Sequence, residues 1–348
     1  MTSEAVTAVA PSSSPRSRGD DAGGPLLDLT DVTRDFRVKV GAMPWGPFAN
    51  LRAVDKVTMS VQPGETFGIV GESGSGKSTL GRLALRLLEP TSGTIRFDGR
   101  DITRLRGNRL RQLRNDMQMV FQDPLGSLNP RMKIKTIIGE PLRVFRGMGG
   151  KELSDRVAEL LNSVGLSTDR GESYPRELSG GQRQRVGIAR AIALDPKMIL
   201  ADEAVSALDV SVQAQVINLF AELRDKLGLT YLFIAHGLPV VRQISQRVGV
   251  MYLGRMVETG PSDELFSAPA HPYTKALLDA APSPDPSRRG NRVLLKGEPP
   301  SPMNLPSGCR FRSRCPFAQQ ICAEVDPPDI DLGGGRTSAC HFAGDLAM

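Results

Sequence analysis

A glycine-rich stretch at residues 71–79 has the composition and spacing of a loop that binds nucleotide phosphates. It reads GESGSGKST and fits the pattern G-x-x-x-x-G-K-[ST]. Glycines allow the backbone to curl so that successive N–H groups point at phosphate oxygens. Lys77 would reach the β- and γ-phosphates, and the Ser78 hydroxyl would bind Mg²⁺. We expect ATP contacts from all nine residues: Gly71, Glu72, Ser73, Gly74, Ser75, Gly76, Lys77, Ser78 and Thr79.

The flanking segments favour a true phosphate loop over a chance match in a Gly/Ser-rich turn. Residues Thr66 to Val70 form an apolar run that predicts a buried strand. Residues Ser78 to Leu88 predict a helix, whose N-terminus attracts anions. Strand, loop and helix therefore occur in the order that such a site requires.

A second group of candidate residues follows the apolar run at 197–201. The segment reads KMILADE and ends in Asp202 and Glu203. Asp202 is placed to hold Mg²⁺ through water, and Glu203 could then act as general base toward the attacking water. A pair of acids after an apolar run is, by itself, usually a solvated strand end. Its position between two further motifs makes it more specific.

The first of those motifs is LSGGQ at residues 178–182. Ser179 is a natural helix N-cap, and Gly180 and Gly181 leave backbone N–H groups accessible. The second motif is SALD, which ends at Asp209. A phosphate loop followed about a hundred residues later by LSGGQ resembles the ATP-binding cassette (ABC) superfamily.

The resemblance implies roles for the other motif residues. In that family two cassettes pair, and the residues matching Ser179, Gly180, Gly181, Gln182 and Asp209 serve the partner's ATP. Gln122 matches the glutamine that touches the metal, so Mg²⁺ would be held by Ser78, Gln122 and Asp202. His236 matches the switch histidine at the γ-phosphate, and Glu203 the general base. Phe36 would stack on adenine, although a core phenylalanine is the alternative.

Two positions depart from the family pattern. Relatives usually have an acid after the switch histidine and a proline after the catalytic glutamate, where this chain has Gly237 and Ala204. Glycine broadens the allowed φ and ψ, and the loss of proline frees φ. We expect an effect on turnover or on histidine positioning, but no loss of a phosphate or metal contact.

Composition indicates a globular protein with no membrane span. The 348 residues are 40% hydrophobic and 24% charged, with a net charge of +6. This basic bias is too weak to indicate nucleic acid as a partner. No run of 18 apolar residues occurs, and the Ser/Pro/Ala/Gly-rich residues 1–25 lack the apolar block of a signal peptide. We predict a disordered leader at 1–25.

Alternating strand and helix patterns predict an α/β fold. The resemblance specifies a P-loop NTPase (ABC ATPase) core at 26–265, with a mostly parallel sheet and a helical subdomain at about 123–180. Residues 266–348 differ in pattern and include HPYT at 271–274, followed by a Pro-rich connector. This stretch resembles the C-terminal extension of the oligopeptide/dipeptide importer ATPases. A helix start followed by an ordinary linker is the alternative.

The extension contains every cysteine of the chain, spaced C-x5-C-x6-C-x17-C: Cys309, Cys315, Cys322 and Cys340. Clustered thiols in a reducing compartment suggest metal, either zinc or an iron–sulfur cluster. The spacing is wider than usual zinc knuckles, and the chain resembles importer ATPases that carry [4Fe–4S] here. We therefore predict a [4Fe–4S] cluster, with zinc as the alternative and four reduced, unligated cysteines as the simplest explanation. His341 could replace one ligand.

Together these motifs predict an ATP-hydrolysing subunit of a multi-subunit importer of di- or oligopeptides. It would be peripheral on the cytoplasmic face of the membrane. The implied partners are a second ABC ATPase subunit in a homo- or heterodimer, two transmembrane permease subunits and an extracytoplasmic peptide-binding protein. The alternatives are an importer ATPase for another solute such as nickel, and a soluble ABC ATPase without a transport role.

Overall fold

The computed structural model describes residues 24–39, 48–280 and 297–345. Residues 1–23 of the predicted leader and much of the Pro-rich connector lie outside these ranges, and Gly24 and Pro25 precede the first strand without regular structure. Within the described residues the strands are β1 (Leu27–Lys39), β2 (Phe48–Val61), β3 (Thr66–Val70), β4 (Ser92–Phe97), β5 (Arg100–Asp101), β6 (Met117–Val120), β7 (Met198–Asp202), β8 (Thr230–Ile234), β9 (Arg247–Tyr252), β10 (Arg255–Pro261), β11 (Ile330–Gly333) and β12 (Arg336–Ser338).

The helices surround and interrupt this framework. They are α1 (Lys77–Ala84), α2 (Gly107–Asp116), α3 (Pro124–Ser127), α4 (Ile134–Pro141), α5 (Gly150–Ser163), α6 (Gly180–Ile192), α7 (Val210–Leu227), α8 (Leu238–Ile244), α9 (Ser262–Ser267), α10 (Pro272–Ala280) and α11 (Ile321–Glu324). A π-helical turn at Leu142–Arg146 and 3₁₀ turns at Thr168–Glu172 and Pro175–Glu177 complete the helical region. No helix among the described residues is both long and apolar enough to cross a membrane.

Two sheets organise the described residues. The smaller one has the strand order β2-β1-β4-β5 and is antiparallel. The larger one has the order β11-β12-β10-β9-β3-β8-β7-β6. Its centre, from β9 to β6, is parallel, whereas β10, β11 and β12 pair antiparallel at one edge. The predicted α/β core with a mostly parallel sheet is confirmed at the centre.

The central strands are largely apolar because they are buried on both faces of the parallel part of the sheet. Every residue of β3, β7 and β8 is buried. The carboxyl ends of parallel strands lie along one edge of a sheet, which is where α/β proteins bind ligands. The phosphate loop follows β3, Asp202 ends β7, and His236 follows β8. The topology therefore brings motifs from three separate parts of the sequence to one edge.

The helical subdomain packs around α4. Its residues Ile134, Ile137 and Ile138 are buried in the same cluster as Leu153 and Val157 of α5. The buried residues of α5, Leu153, Val157, Leu160 and Leu161, recur at helical spacing and form its apolar face. α6 begins within LSGGQ, at Gly180, and contacts α4 and α5 as well as β6, so it joins these helices to the larger sheet.

The C-terminal residues are joined to the cassette by hydrogen bonding and by aromatic packing. β12 pairs with β10, with Glu258 opposite Ser338, so the larger sheet continues past residue 265. The ring of Phe311 is fully buried and lies 5.4 Å from the rings of both Tyr252 and Tyr273. The extension therefore shares a core with the cassette.

Candidate nucleotide site

The phosphate loop has a backbone that requires glycine at two places. Gly71 has φ +151° and Gly76 has φ +102°, a region that residues with a side chain rarely adopt. A Cβ at Gly71 would lie 2.1 Å from the Met251 carbonyl oxygen, and one at Gly76 would lie 2.2 Å from that of Ala53. The loop thus depends on close backbone contact with β2 and β9.

Lys77, the first residue of α1, is buried in the loop. Its Nζ donates hydrogen bonds to the carbonyl oxygens of Gly71, at 2.8 Å, and of Glu72, at 2.9 Å. Burial lowers the pKa of Lys77, while the carboxylates of Glu203, Asp202 and Glu72 oppose that shift. The ammonium is therefore fixed in direction by the loop and stabilised by nearby negative charge.

Ser78 and Asp202 meet across the end of the sheet. The Ser78 hydroxyl donates a hydrogen bond of 2.8 Å to Asp202 Oδ1, although the two residues are 124 positions apart. Gln122, exposed beyond the end of β6, borders the same cavity as Ser78. Hydroxyl, carboxylate and amide oxygens are the hard donors that Mg²⁺ prefers, and Mg²⁺ usually keeps water and phosphate as further ligands. The donor set fits this metal.

Glu203 and His236 form the second polar contact of the site. His236 Nε2 lies 2.7 Å from Glu203 Oε1. Glu203 has φ +50° and is held there by a hydrogen bond from its N–H to the Ile234 carbonyl and by one from the Ser206 hydroxyl to its own carbonyl. A strained backbone of this kind costs about 1–3 kcal/mol and is typical of functional sites.

Lys77, Ser78, Gln122, Glu203 and His236 border one open cavity of about 460 Å³, within the usual range for small-molecule sites. Asp202 does not border it, but bonds to Ser78 and borders the neighbouring groove. Phe36 and Leu51 of the smaller sheet border one side, and His236 borders another. Phe36 is half-buried there, with the Arg34 guanidinium 4.7 Å from its ring centre. The loop residues that border the cavity are Ser73, Gly74, Gly76, Lys77, Ser78 and Thr79.

Three of the nine phosphate-loop residues predicted to contact ATP do not border the cavity. Gly71 packs against β9, and Ser75 is buried with its carbonyl oxygen bonded to the Gly254 N–H. The Glu72 carboxylate points to Arg314 of the C-terminal extension, with Nη1–Oε2 at 2.8 Å. Sequence analysis missed Arg314, and also Pro302, which borders the cavity from the extension. Neither has a local motif that would have identified it.

The LSGGQ residues lie at the start of α6, away from this cavity. Ser179 caps the helix: its hydroxyl accepts from the Gln182 N–H, and the Gln182 side chain accepts from the Ser179 N–H. Ser179 and Gly180 are exposed. Gly181 is buried against α7. A side chain would not fit there, because a Cβ would lie 2.4 Å from the Val212 side chain. Asp209, before α7, is also exposed.

Gly237 and Ala204, the two departures from the family pattern, cause no backbone strain or steric clash in the structure. Gly237 has φ −89°, which any residue adopts, and a Cβ there would meet nothing closer than 3.7 Å. Ala204 is buried among apolar neighbours beside Val205. The extra freedom that glycine would allow after His236 is therefore not used.

The prediction of a [4Fe–4S] cluster is wrong. Among the described residues, no group of three or more His, Cys, Asp and Glu side chains is placed to hold a metal ion, which also removes the zinc alternative. The four thiols are free and border a cavity of about 10 Å³, which has room for about one water molecule. Burial raises the pKa of Cys315 to about 11 and also raises those of Cys309 and Cys340. Burial thus favours neutral thiols over the thiolates that a cluster needs.

His341, which was expected to be able to replace one cysteine ligand, also has another partner. Its Nε2 lies 3.0 Å from the Val325 carbonyl oxygen. The cysteine spacing alone suggested a metal, but spacing gives neither the depth of the thiols nor the room between them. Here the segment packs on itself, with the Cys309 N–H bonded to the Cys322 carbonyl at 2.8 Å.

Two regions of the chain match known families. Residues 54–206 match the ABC transporter family, and residues 257–322 match the family described as oligopeptide/dipeptide transporter, C-terminal region. The chain is 51% identical over 322 residues to the probable peptide ABC transporter ATP-binding protein y4tS of Sinorhizobium fredii, covering 92% of this chain and 91% of that protein. The chain belongs to the ABC transporter ATP-binding proteins.

Other members of the family are equally similar along most of their length. The oligopeptide transport ATP-binding protein AppF of Bacillus subtilis is 50% identical over 322 residues, 91% of this chain and 97% of AppF. OppF of Escherichia coli, an oligopeptide transport ATP-binding protein, is 50% identical over 306 residues, 87% of this chain and 92% of OppF. The cassette is thus an ABC ATPase that hydrolyses ATP.

Solved structures agree with the fold. The ATP-binding cassette MJ0796, in a dimeric post-hydrolysis state with ADP and Pi bound, superposes with a TM-score of 0.60 at 30% identity. The match covers 68% of this chain and 98% of that cassette. The predicted family, fold class and enzyme class are therefore confirmed.

Proposed function

We propose that this ABC ATPase energises a multi-subunit importer of di- or oligopeptides from the cytoplasmic face of the membrane. The observation that carries the proposal is the convergence of Lys77, Ser78, Glu203 and His236 on one cavity. The C-terminal region matched at 257–322 and the peptide-transport names of the relatives support peptide as the cargo. The division into a cassette at 26–265 and an extension at 266–348 belongs to the same proposal.

The chemistry follows from positioning and charge. The loop N–H groups and Lys77 would bind the phosphates of ATP, and Ser78, Gln122 and Asp202 would hold Mg²⁺, which neutralises phosphate charge. Oε1 of Glu203 is engaged by His236, so we assign Oε2 as the atom that accepts the proton from the attacking water. His236 would keep the carboxylate oriented and contact the γ-phosphate.

A second ATPase subunit completes the site. Ser179 and Gly180 are exposed and lie outside the cavity that Lys77 borders. A capped helix start with accessible N–H groups suits a phosphate presented by another subunit. ATP binding would close two cassettes, each supplying Ser179 to Gln182 and Asp209 to the other, and hydrolysis would reopen them.

The permease subunits would dock at a groove between the sheet and the helical subdomain. This groove has a volume of about 790 Å³ and presents the exposed apolar side chains Leu87 and Phe121. Gln122 borders both this groove and the nucleotide cavity. A movement at either place would therefore reach the other through a single residue.

Reconstitution tests the function directly. The chain would be assembled in proteoliposomes with candidate permease subunits and a candidate peptide-binding protein, and uptake of labelled di- and oligopeptides would be measured. We expect ATP-dependent peptide uptake that Glu203→Gln abolishes. Uptake of Ni²⁺ in place of peptide, or ATP hydrolysis without any association with permeases, would overturn the proposal.

A further inference from the structure

The segment CRFRSRC at residues 309–315, here called the arginine turn, lies against the phosphate loop. Arg314 makes two hydrogen bonds to the Glu72 carboxylate, Nη1–Oε2 at 2.8 Å and Nη2–Oε1 at 3.0 Å. Only 6% of the Arg314 side chain is exposed. Paired, charge-assisted hydrogen bonds of this form are directional as well as strong, so they fix where the carboxylate lies.

The backbone of Glu72 is held from the same side. Its N–H donates a hydrogen bond of 2.9 Å to the hydroxyl of Tyr273, which belongs to α10 in the extension. Burial raises the pKa of Tyr273, so the hydroxyl stays neutral and accepts this bond. The extension therefore fixes both the main chain and the side chain of one phosphate-loop residue.

Glu72 in turn fixes Lys77. The Glu72 carbonyl accepts a hydrogen bond from Lys77 Nζ at 2.9 Å and another from the Ser75 N–H at 3.2 Å. A shift of Glu72 would therefore move the carbonyl that directs the ammonium group. The path from Arg314 to Lys77 passes through one residue.

The arginine turn reaches the loop by a second route. Arg310 donates hydrogen bonds to the Leu253 carbonyl and to Asp55. Leu253 and Gly254 border the nucleotide cavity, and the Gly254 N–H bonds the Ser75 carbonyl at 2.8 Å. Phe311, between the two arginines, is buried against Tyr252 and Tyr273 and anchors the turn.

We propose that Arg314 is a positioning residue for ATP: through Glu72 it holds the phosphate loop and Lys77 in the shape that binds the phosphates. The extension would then be part of the nucleotide site. This inference rests on residues 71–79 being the ATP site. The alternative is that the Arg314–Glu72 contact only attaches the extension to the cassette. In that case its loss would lower the stability of the protein without changing its affinity for ATP.

The test measures ATP binding and steady-state hydrolysis by the full chain carrying Arg314→Ala, with Arg312→Ala as the matched control. Arg312 belongs to the same turn but donates to the Ala323 carbonyl, away from the loop. We expect Arg314→Ala to raise the Kd and KM for ATP about tenfold, typical of coupling between neighbouring sites, with kcat within about twofold of wild type. Arg312→Ala should leave both near wild type.

A double-mutant cycle identifies the pathway and guards against misfolding. Glu72→Ala should weaken ATP binding to a similar extent, and the double variant should be no weaker than either single one, because both remove the same contact. If Arg314→Ala does not fold, Arg314→Lys and Glu72→Gln provide the same comparison. Those milder variants should show a smaller rise in Kd in folded protein.

The failure of the inference and the failure of the site assignment give distinct results. If Arg314→Ala is folded and binds ATP like Arg312→Ala, the contact only docks the extension and the inference is overturned. Lys77→Ala is measured in parallel and should lose binding. If Lys77→Ala binds ATP like wild type, the loop is not the ATP site, and the inference falls with it.

Discussion

His236 Nε2 lies 2.7 Å from Glu203 Oε1, so the histidine that we propose as a γ-phosphate contact touches the glutamate that we propose as general base. The glutamate is 7% exposed at its side chain and the histidine 45%, which places the pair at the mouth of the nucleotide cavity. Any motion of the loop after β8 would move the carboxylate that must face water. The position of the loop after β8 would therefore affect how well Glu203 can accept a proton from the attacking water.

Glu203→Gln should retain ATP binding and lose hydrolysis. The amide fits the same space but accepts no proton, while Lys77 and Ser78 still hold the nucleotide, so turnover should fall roughly 10²- to 10⁴-fold. Binding and hydrolysis are measured on the assembled transporter. Glu222→Gln on the exposed face of α7 is the control and should behave as wild type. Hydrolysis at the wild-type rate by Glu203→Gln would refute the general-base role.

Ser179→Arg should prevent closure of the cassette pair without blocking ATP from its own phosphate loop. Ser179 is exposed and does not border that cavity, so a bulky cation there would face the proposed opposite subunit. ATP-driven dimerisation and labelled-ATP binding are followed together. Ser154→Arg places the same charge at an exposed site on α5 and should dimerise normally. Loss of both properties in folded Ser179→Arg protein would mean that the motif acts within its own subunit.

His271 should make the protein less stable in acid. Burial lowers its pKa to about 3, and its Nδ1 accepts the Tyr273 N–H at 3.0 Å. The unfolded chain binds a proton near the ordinary pKa of about 6.5, whereas the folded protein does not. The free energy of unfolding is therefore unaffected by protonation of His271 above pH ~6.5, and it falls by about 1.4 kcal/mol per pH unit as the pH drops toward 3.

Denaturation in urea at pH 7, 6 and 5 measures this dependence. His271→Asn should be less stable at pH 7 yet lose less stability on acidification than wild type, because the titrating ring is gone. His341→Asn removes a half-buried histidine and is the matched control, for which the wild-type slope is expected. Identical slopes for wild type and His271→Asn would contradict the assignment.

Gly237→Ala and Gly71→Ala should differ sharply, although both replace glycines of the site. Gly237 has ordinary φ and open space, so the free energy of unfolding and the rate of ATP hydrolysis should change little, by about 0.5 kcal/mol or less for stability. Gly71 has φ +151° and a Cβ would press on the Met251 carbonyl, so the loop should distort at a cost of about 1–3 kcal/mol and ATP affinity should fall. Calorimetric ATP binding and thermal unfolding of both variants check this. An equal loss of activity at Gly237 would show that glycine freedom after His236 matters.

The sequence determined the site wherever chemistry depends on neighbours along the chain. Glycines at 71 and 76 with Lys77 and Ser78 predicted the loop because a curled backbone needs them locally. The apolar runs at 66–70 and 197–201 matched β3 and β7 to within one residue at each end. The order of the motifs then predicted the family and the fold class, both confirmed. The ends of strands and the starts of helices depend mainly on neighbouring residues, so the sequence can predict them.

Tertiary structure alone decided what depends on distant residues meeting. Arg314 and Glu72 are 242 positions apart and no motif connects them; the sheet edge and the buried Phe311 bring them together. Gly181 is buried, and a Cβ there would lie 2.4 Å from the Val212 side chain, a packing constraint that no motif in the sequence shows. The clustering of four cysteines near the C-terminus suggested a metal, yet burial and the small space between them argue otherwise. Spacing in sequence fixes neither depth nor distance, because both are set by what the rest of the chain packs around.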